Sequence, residues 1–226
     1  MGGPMKLNRT FRDVSELPTI LPLFPLEEAL LLPRRPLQLN IFEPRYLEML
    51  DDAISGDRVI GMIQPRGSRK SRARKPPLHQ VGCSGRIVQF VETGDGRCIV
   101  TLIGIARFRV LHELLVQKSY RRAQVEHSEF AGDLEQGAGE ASVDRAGLLA
   151  ALKDFADARN FSIDWDDVGQ ASNETLVNSL SMMSPYGSDE KQALLEASDL
   201  KGRAEMLVAI TQMELARGAA AVNQLH

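Results

Sequence analysis

The side chains that could carry catalysis or hold a metal are two cysteines, Cys83 and Cys98, four histidines, His79, His112, His127 and His226, and thirty carboxylates. A zinc site needs about four ligands, and here no H-E-x-x-H or paired-cysteine spacing brings them together. Both cysteines are flanked by strand-forming residues, where a thiol behaves as a small buried apolar group. Gly56 and Gly61 begin the spacing of a phosphate loop. Met62 and Ile63, however, stand where a lysine and a hydroxyl would have to meet phosphate and magnesium. Asp164, Asp166 and Gly169 imitate the start of a calcium loop, but Val168 and Thr175 occupy two positions that must supply oxygen ligands. No G-x-S-x-G elbow is present. These residues lead to the expectation of no catalytic residue, no metal and no cofactor.

Two other groups of residues could recognise a partner. The stretch RGSRKSRARK, residues 66–75, holds six cations (Arg66, Arg69, Lys70, Arg72, Arg74 and Lys75) and no acid, in a chain of net charge −3. It could bind an anionic partner by counterion release, but it has no aromatic residue on which a base could stack. Lying between VIGMIQ and PPLHQV, it reads as a solvated hairpin loop. The second group is Phe24, Leu30, Leu31 and Leu32, set among prolines and charges beside Arg34 and Arg35. Apolar residues in a loop setting mark either an interface or the closure of one end of a core. Both readings stay open at this point.

The elements that position these residues divide the chain. In IARFRV, Ala106, Phe108 and Val110 alternate with Arg107 and Arg109, the period of a strand with one buried and one wet face. The segment GRIVQFVETGDGRCIVTLIG places two apolar runs around Thr93-Gly94-Asp95-Gly96, which predicts a hairpin over 85–103. Val88 and Phe90 fall on one side and Ile87 and Val91 on the other, so both faces are expected to be covered, as in a closed or strongly curved sheet. Prolines at 18, 22, 25, 33 and 36 remove ladder donors and favour a barrel-like roll. Pro44 suits the first turn of a helix that continues through Leu47, Leu50 and Ile54, with Tyr46 packed under the corner. The organisation expected is a tail over 1–17, a β-rich lobe over 18–130, a linker over 131–142 and an α-helical lobe over 143–226. In the last, Leu148, Leu152 and Phe155 mark a helix face, and Ser172, Ser188 and Ser198 mark further helix starts. The fold class is α+β.

Hydrophobic residues make up 43% of the 226, enough for a large core, and the pI near 5.9 gives no overall pull toward nucleic acid or anionic membranes. No run approaches the ~18 apolar residues of a membrane span and the N-terminus lacks an apolar signal core, so a cytoplasmic protein is expected.

With LPLFPLEEALLLPRRPLQLNIFEPRY (21–46), RVIGMIQP (58–65), VGCSGRIVQFVETGDGRCIVTLIGIARFRV (81–110) and EKQALLEASDLKGRAEML (190–207) in place, the sequence resembles the N-terminal domain of the ATP-dependent Lon protease, in stand-alone form. The resemblance implies a PUA-like distorted β-barrel lobe followed by a helical lobe. It also implies recognition of unfolded or damaged polypeptides, with ATPase and Ser-Lys peptidase in later domains that this sequence does not show. The expected function is therefore polypeptide binding without catalysis, with Phe24, Leu30, Leu31, Leu32, Arg34 and Arg35 as the docking residues and a protease or chaperone as partner. The alternative is RNA binding through the basic loop, since PUA-like folds resemble RNA-binding modules.

Overall fold

A computed structural model describes residues 10–67, 75–115 and 117–223. Six strands, β1 (Ile20–Pro25), β2 (Pro36–Ile41), β3 (Val59–Pro65), β4 (Leu78–Glu92), β5 (Cys98–Glu113) and β6 (Arg121–Glu126), form one sheet in the order β2-β5-β4-β3-β1-β6. A further pairing of β6 with β5 closes five of them into a barrel and leaves β2 outside, along the first half of β5. Among these strands only β1 and β3 run parallel; every other pair is antiparallel. Helix α1 (Pro44–Ser55) connects β2 to β3. Further helices follow the barrel: α2 (Arg145–Arg159), α3 (Trp165–Gln170), α4 (Asn173–Met183), α5 (Ser188–Glu196) and α6 (Leu200–Asn223). The molecule is α+β, as its sequence predicts.

Local chemistry explains most of these elements. Gly94 and Gly96 both sit at φ +80, the left-handed region that L side chains avoid, and so allow the reversal between β4 and β5. The hairpin is longer than 85–103, because both strands continue around the barrel wall. Pro44 is the first residue of α1, where its missing N–H costs nothing. Tyr46, in the same first turn, is buried edge-on against Phe24, ring centroids 4.4 Å apart. In the helical lobe, Asp144, Asp164 and Ser172 cap α2, α3 and α4 by accepting hydrogen bonds from first-turn amides. Asp164 and its acidic neighbours thus start a helix.

Two expectations about coverage change. Arg107, placed by its alternation on a wet face, is only 3% exposed, because the helical lobe packs on that side of β5. Its guanidinium grips both carboxylate oxygens of Asp133 at 2.8 Å and donates to the carbonyls of Leu195 and Ala197, so all its charge is met by acceptors. Residues 131–142, read as a linker from their glycines, are drawn into the same seam. Asp133 pairs with Arg107, Gly137 N–H donates to Glu174 and Glu140 accepts from the Glu174 amide.

Candidate functional site

Phe24, Leu30, Leu31 and Leu32 are 5%, 2%, 1% and 0% exposed and belong to the main hydrophobic core, so the expectation that they present an apolar docking patch is corrected. The reason is a backbone clamp. Pro33 bridges to Gly104 of β5, Arg34 N–H donates to the Gly104 carbonyl at 2.8 Å and Gly104 N–H returns a bond to the Arg35 carbonyl at 3.0 Å. A Cβ at Gly104 would lie 2.0 Å from the Leu32 carbonyl oxygen. Only glycine lets the leucine segment approach closely enough to seal the barrel end. Arg34 turns to the helical lobe, paired with Glu174 and donating to the Asp133 carbonyl. Arg35 is half-buried.

Of the basic stretch, Arg69, Lys70, Arg72 and Arg74 lie outside the described residues. Arg66 and Lys75 at its ends are exposed. They stand apart: Arg66 lines a cleft with His79 and Glu196 of α5, whereas Lys75 lines a different cleft of about 1040 Å³ with Arg45, Tyr46 and Lys118. In that second cleft Arg45 is engaged with Glu43 and covers the Tyr46 ring, and Lys118 is held by Asp52 at 2.7 Å.

The exposed apolar surface lies elsewhere, at the far end of the β4–β5 hairpin. Val88, Phe90 and Val91 are 48%, 42% and 47% exposed, and Phe42 at the end of β2 is 61% exposed. The expectation that both faces of this hairpin are covered therefore fails beyond Ile87. The register explains why. β3 pairs with β4 only as far as Val59 opposite Arg86, so residues 87–92 leave the barrel with β5 and β2 as a three-stranded ribbon. On one face of that ribbon Cys98, Val100, Leu39 and Ile41 are buried in the core cluster that also holds Met49, Leu50 and Ala53 of α1. On the other face the pairings Val91–Ile99–Asn40 bring Val91 and Ile99 side by side, one row from Phe42, which the Arg97 guanidinium approaches at 5.9 Å from the ring. The result is a face backed by the core and open to solvent, on which Val91, Ile99 and Phe42 stand among Asn40, Gln38, Gln89 and Thr101.

Burial governs the two thiols and the buried histidine, His127. Burial pushes the Cys83 thiol far up, out of its reactive range, and also raises Cys98. His127 bonds Ser84 Oγ at 2.9 Å, and burial pulls its pKa down to about 4, partly opposed by Asp133, so the ring is neutral at physiological pH. Among the described residues no group of three or more His, Cys, Asp or Glu could hold a metal ion, and no helix is long and apolar enough to cross a membrane.

Sequence reasoning located Phe90 and Val91 but assigned them to the interior. Their position next to the glycine turn, at the hairpin's far end, was the available sign that they project beyond the barrel.

Comparison with known proteins agrees with this architecture. The Lon protease 2 of Myxococcus xanthus is 27% identical over 203 residues, covering 85% of this chain and 23% of that protein. The Lon protease of Dictyoglomus thermophilum is 24% identical over 222 residues, covering 92% of this chain and 26% of that protein. The chain thus spans about a quarter of the length of these relatives. In structure it resembles the Lon N-terminal domain protein from Xanthomonas campestris (TM-score 0.60, 22% identity, 84% of this chain and 98% of that one). It is also similar to the N-terminal domain of the Mycobacterium avium complex Lon protease (TM-score 0.61, 14% identity, 85% and 98%). Residues 20–212, the barrel and nearly all of the helical lobe, match the family described as the ATP-dependent protease La (LON) substrate-binding domain, and the chain belongs to that family.

Proposed function

We propose that this chain is a non-catalytic polypeptide-binding module that captures apolar segments of unfolded or damaged proteins on the outer face of the β2–β5–β4 ribbon. The observation that carries this reading is the exposure of Phe42 and Val91 on the outer face, with Val88 and Phe90 also exposed along the adjoining edge of β4. Large apolar side chains grouped on a surface backed by a buried core mark a place where a partner removes them from water. The family's own description, a substrate-binding domain, supports a polypeptide as that partner. Once captured, the polypeptide passes to a protease or chaperone acting with this chain.

The test is binding of a chemically denatured polypeptide by the purified protein and by Phe42→Ser and Val91→Ser variants. Burying one such side chain is worth about 1.5–3 kcal/mol, and each 1.4 kcal/mol is a factor of ten in affinity. Only the exposed half of each side chain is left to bury, so each substitution should weaken binding roughly three- to tenfold, without shifting the unfolding temperature much. Unchanged affinity in both variants would place the docking surface elsewhere.

A further inference from the structure

Resting on that reading, we infer that the ribbon takes its polypeptide by strand addition: an extended segment pairs with the free edge of β4 over residues 88–92. The phase of the hairpin identifies that edge. Thr93 N–H donates to the Arg97 carbonyl at 3.1 Å, and the register runs Glu92–Cys98, Val91–Ile99, Phe90–Val100, Gln89–Thr101. Bonded and non-bonded pairs alternate in an antiparallel ladder, so Val91 and Gln89 exchange bonds with β5, while the N–H and C=O of Phe90 and Glu92 point away from it. On that outer side the last bond is Ile87 N–H to the Arg58 carbonyl at 2.8 Å; beyond it β4 pairs only with β5 among the described strands. Four backbone groups therefore stand at strand spacing on an edge that no described strand covers, and they are the groups that another strand satisfies.

The side chains make this edge unusual. Exposed edges are ordinarily blunted by lysine, proline, inward-pointing charge or a β-bulge. This edge has a register shift at its start, between Ile87 and Gln89, and then a regular ladder from Gln89 to Glu92. Here the residues are Val88, Gln89, Phe90, Val91 and Glu92, three of the five apolar and exposed. An added strand extends the row Asn40–Ile99–Val91 by one position, so its residue beside Val91 falls on the outer face, and the next falls beside Phe90 on the inner face that also holds Val100 and Leu39. The ligand class is thus an extended segment with apolar residues at alternate positions and free N–H groups on one side. A helix presents no such backbone row, and neither does a segment with proline at those positions. A second copy of this chain fits poorly, because five residues span only about 17 Å, whereas a stable dimer buries roughly 800 Å² per partner.

The experiment uses one apolar, extended-prone peptide and two derivatives N-methylated at alternate amides, one set at a time, with amide hydrogen exchange followed residue by residue in the protein. The expected result is that one methylated set loses at least tenfold in affinity and the other less than twofold, and that the Phe90 and Glu92 amides exchange at least tenfold more slowly with the parent peptide bound. Glu92→Pro, which deletes one outer N–H without touching a bond to β5, should weaken binding about fivefold while Trp165 fluorescence reports an intact fold. If the parent peptide binds but both methylated sets bind equally well, strand addition is wrong and polypeptide capture stands. If the parent does not bind at all, the polypeptide-binding reading fails and takes this inference with it. Slow exchange of the same two amides without peptide, growing with protein concentration, would give the edge to a second copy and overturn the assignment.

Discussion

Arg107 shows how one side chain joins the two lobes. Its guanidinium reaches Asp133 and two carbonyls at the end of α5, and lies 4.5 Å from the centre of the Phe130 ring. Removing one partner of a buried ion pair strands the other charge, at a cost of about 3–5 kcal/mol. Arg107→Ala should lower stability by that amount in denaturant titrations. Arg107→Lys should recover little of it, because an ammonium cannot meet a carboxylate and two carbonyls in the same plane. His127 gives the pH signature. Its folded pKa of about 4 lies below the ordinary 6.5, so between these values the unfolded chain binds the extra proton. Stability is therefore full above pH 6.5 and falls as the pH drops toward 4, by up to about 3 kcal/mol. Thermal unfolding of wild type and His127→Gln over this range should show a shallower fall in the variant; equal slopes would assign the loss to carboxylates. Neither role was legible from residue type alone. A cation between apolar neighbours reads as a wet strand face until the lobe that covers it is known, and a lone histidine gives no sign of its burial.

The strands and the turn between β4 and β5 were legible because their signals are local: glycines at positive φ and alternation along β5. Where the strands end relative to one another was not legible, and the site depends on it. The exposure of Val88, Phe90 and Val91 goes with β3 beginning only at Val59, opposite Arg86, a register fact with no counterpart in the sequence of β4 itself. Leu30, Leu31 and Leu32 erred the other way, because the approach that buries them rests on Gly104, distant along the chain. Gly104→Ala tests that clamp. Its methyl cannot coexist with the Leu32 carbonyl, so the segment must detach and release three buried leucines, each worth about 1.5–3 kcal/mol when buried. A loss of several kcal/mol is expected in urea unfolding, whereas Gly132→Ala, with open space around its Cβ, should change stability little.

At the scale of the whole molecule, the barrel and helical lobe meet through polar contacts as well as core. Gln64, buried, donates to Gln192 and to the Ser188 carbonyl of α5, and Lys191 donates to the Glu28 carbonyl. The leucine segment closes one end of the barrel, and the projecting ribbon is the surface proposed to meet partners. The α+β class and the family were legible in full from the ordered series of motifs. The proposed docking surface was not, since its apolar residues are indistinguishable by type from those of the core. The most direct measurement is equilibrium binding of a denatured polypeptide across a salt series, with RNA as the parallel ligand. Apolar capture predicts polypeptide affinity that holds or rises as salt increases and is weakened severalfold in Phe42→Ser and in Val91→Ser. Affinity for RNA alone, collapsing with salt in the manner of counterion release, would contradict the account and move the function to the basic stretch.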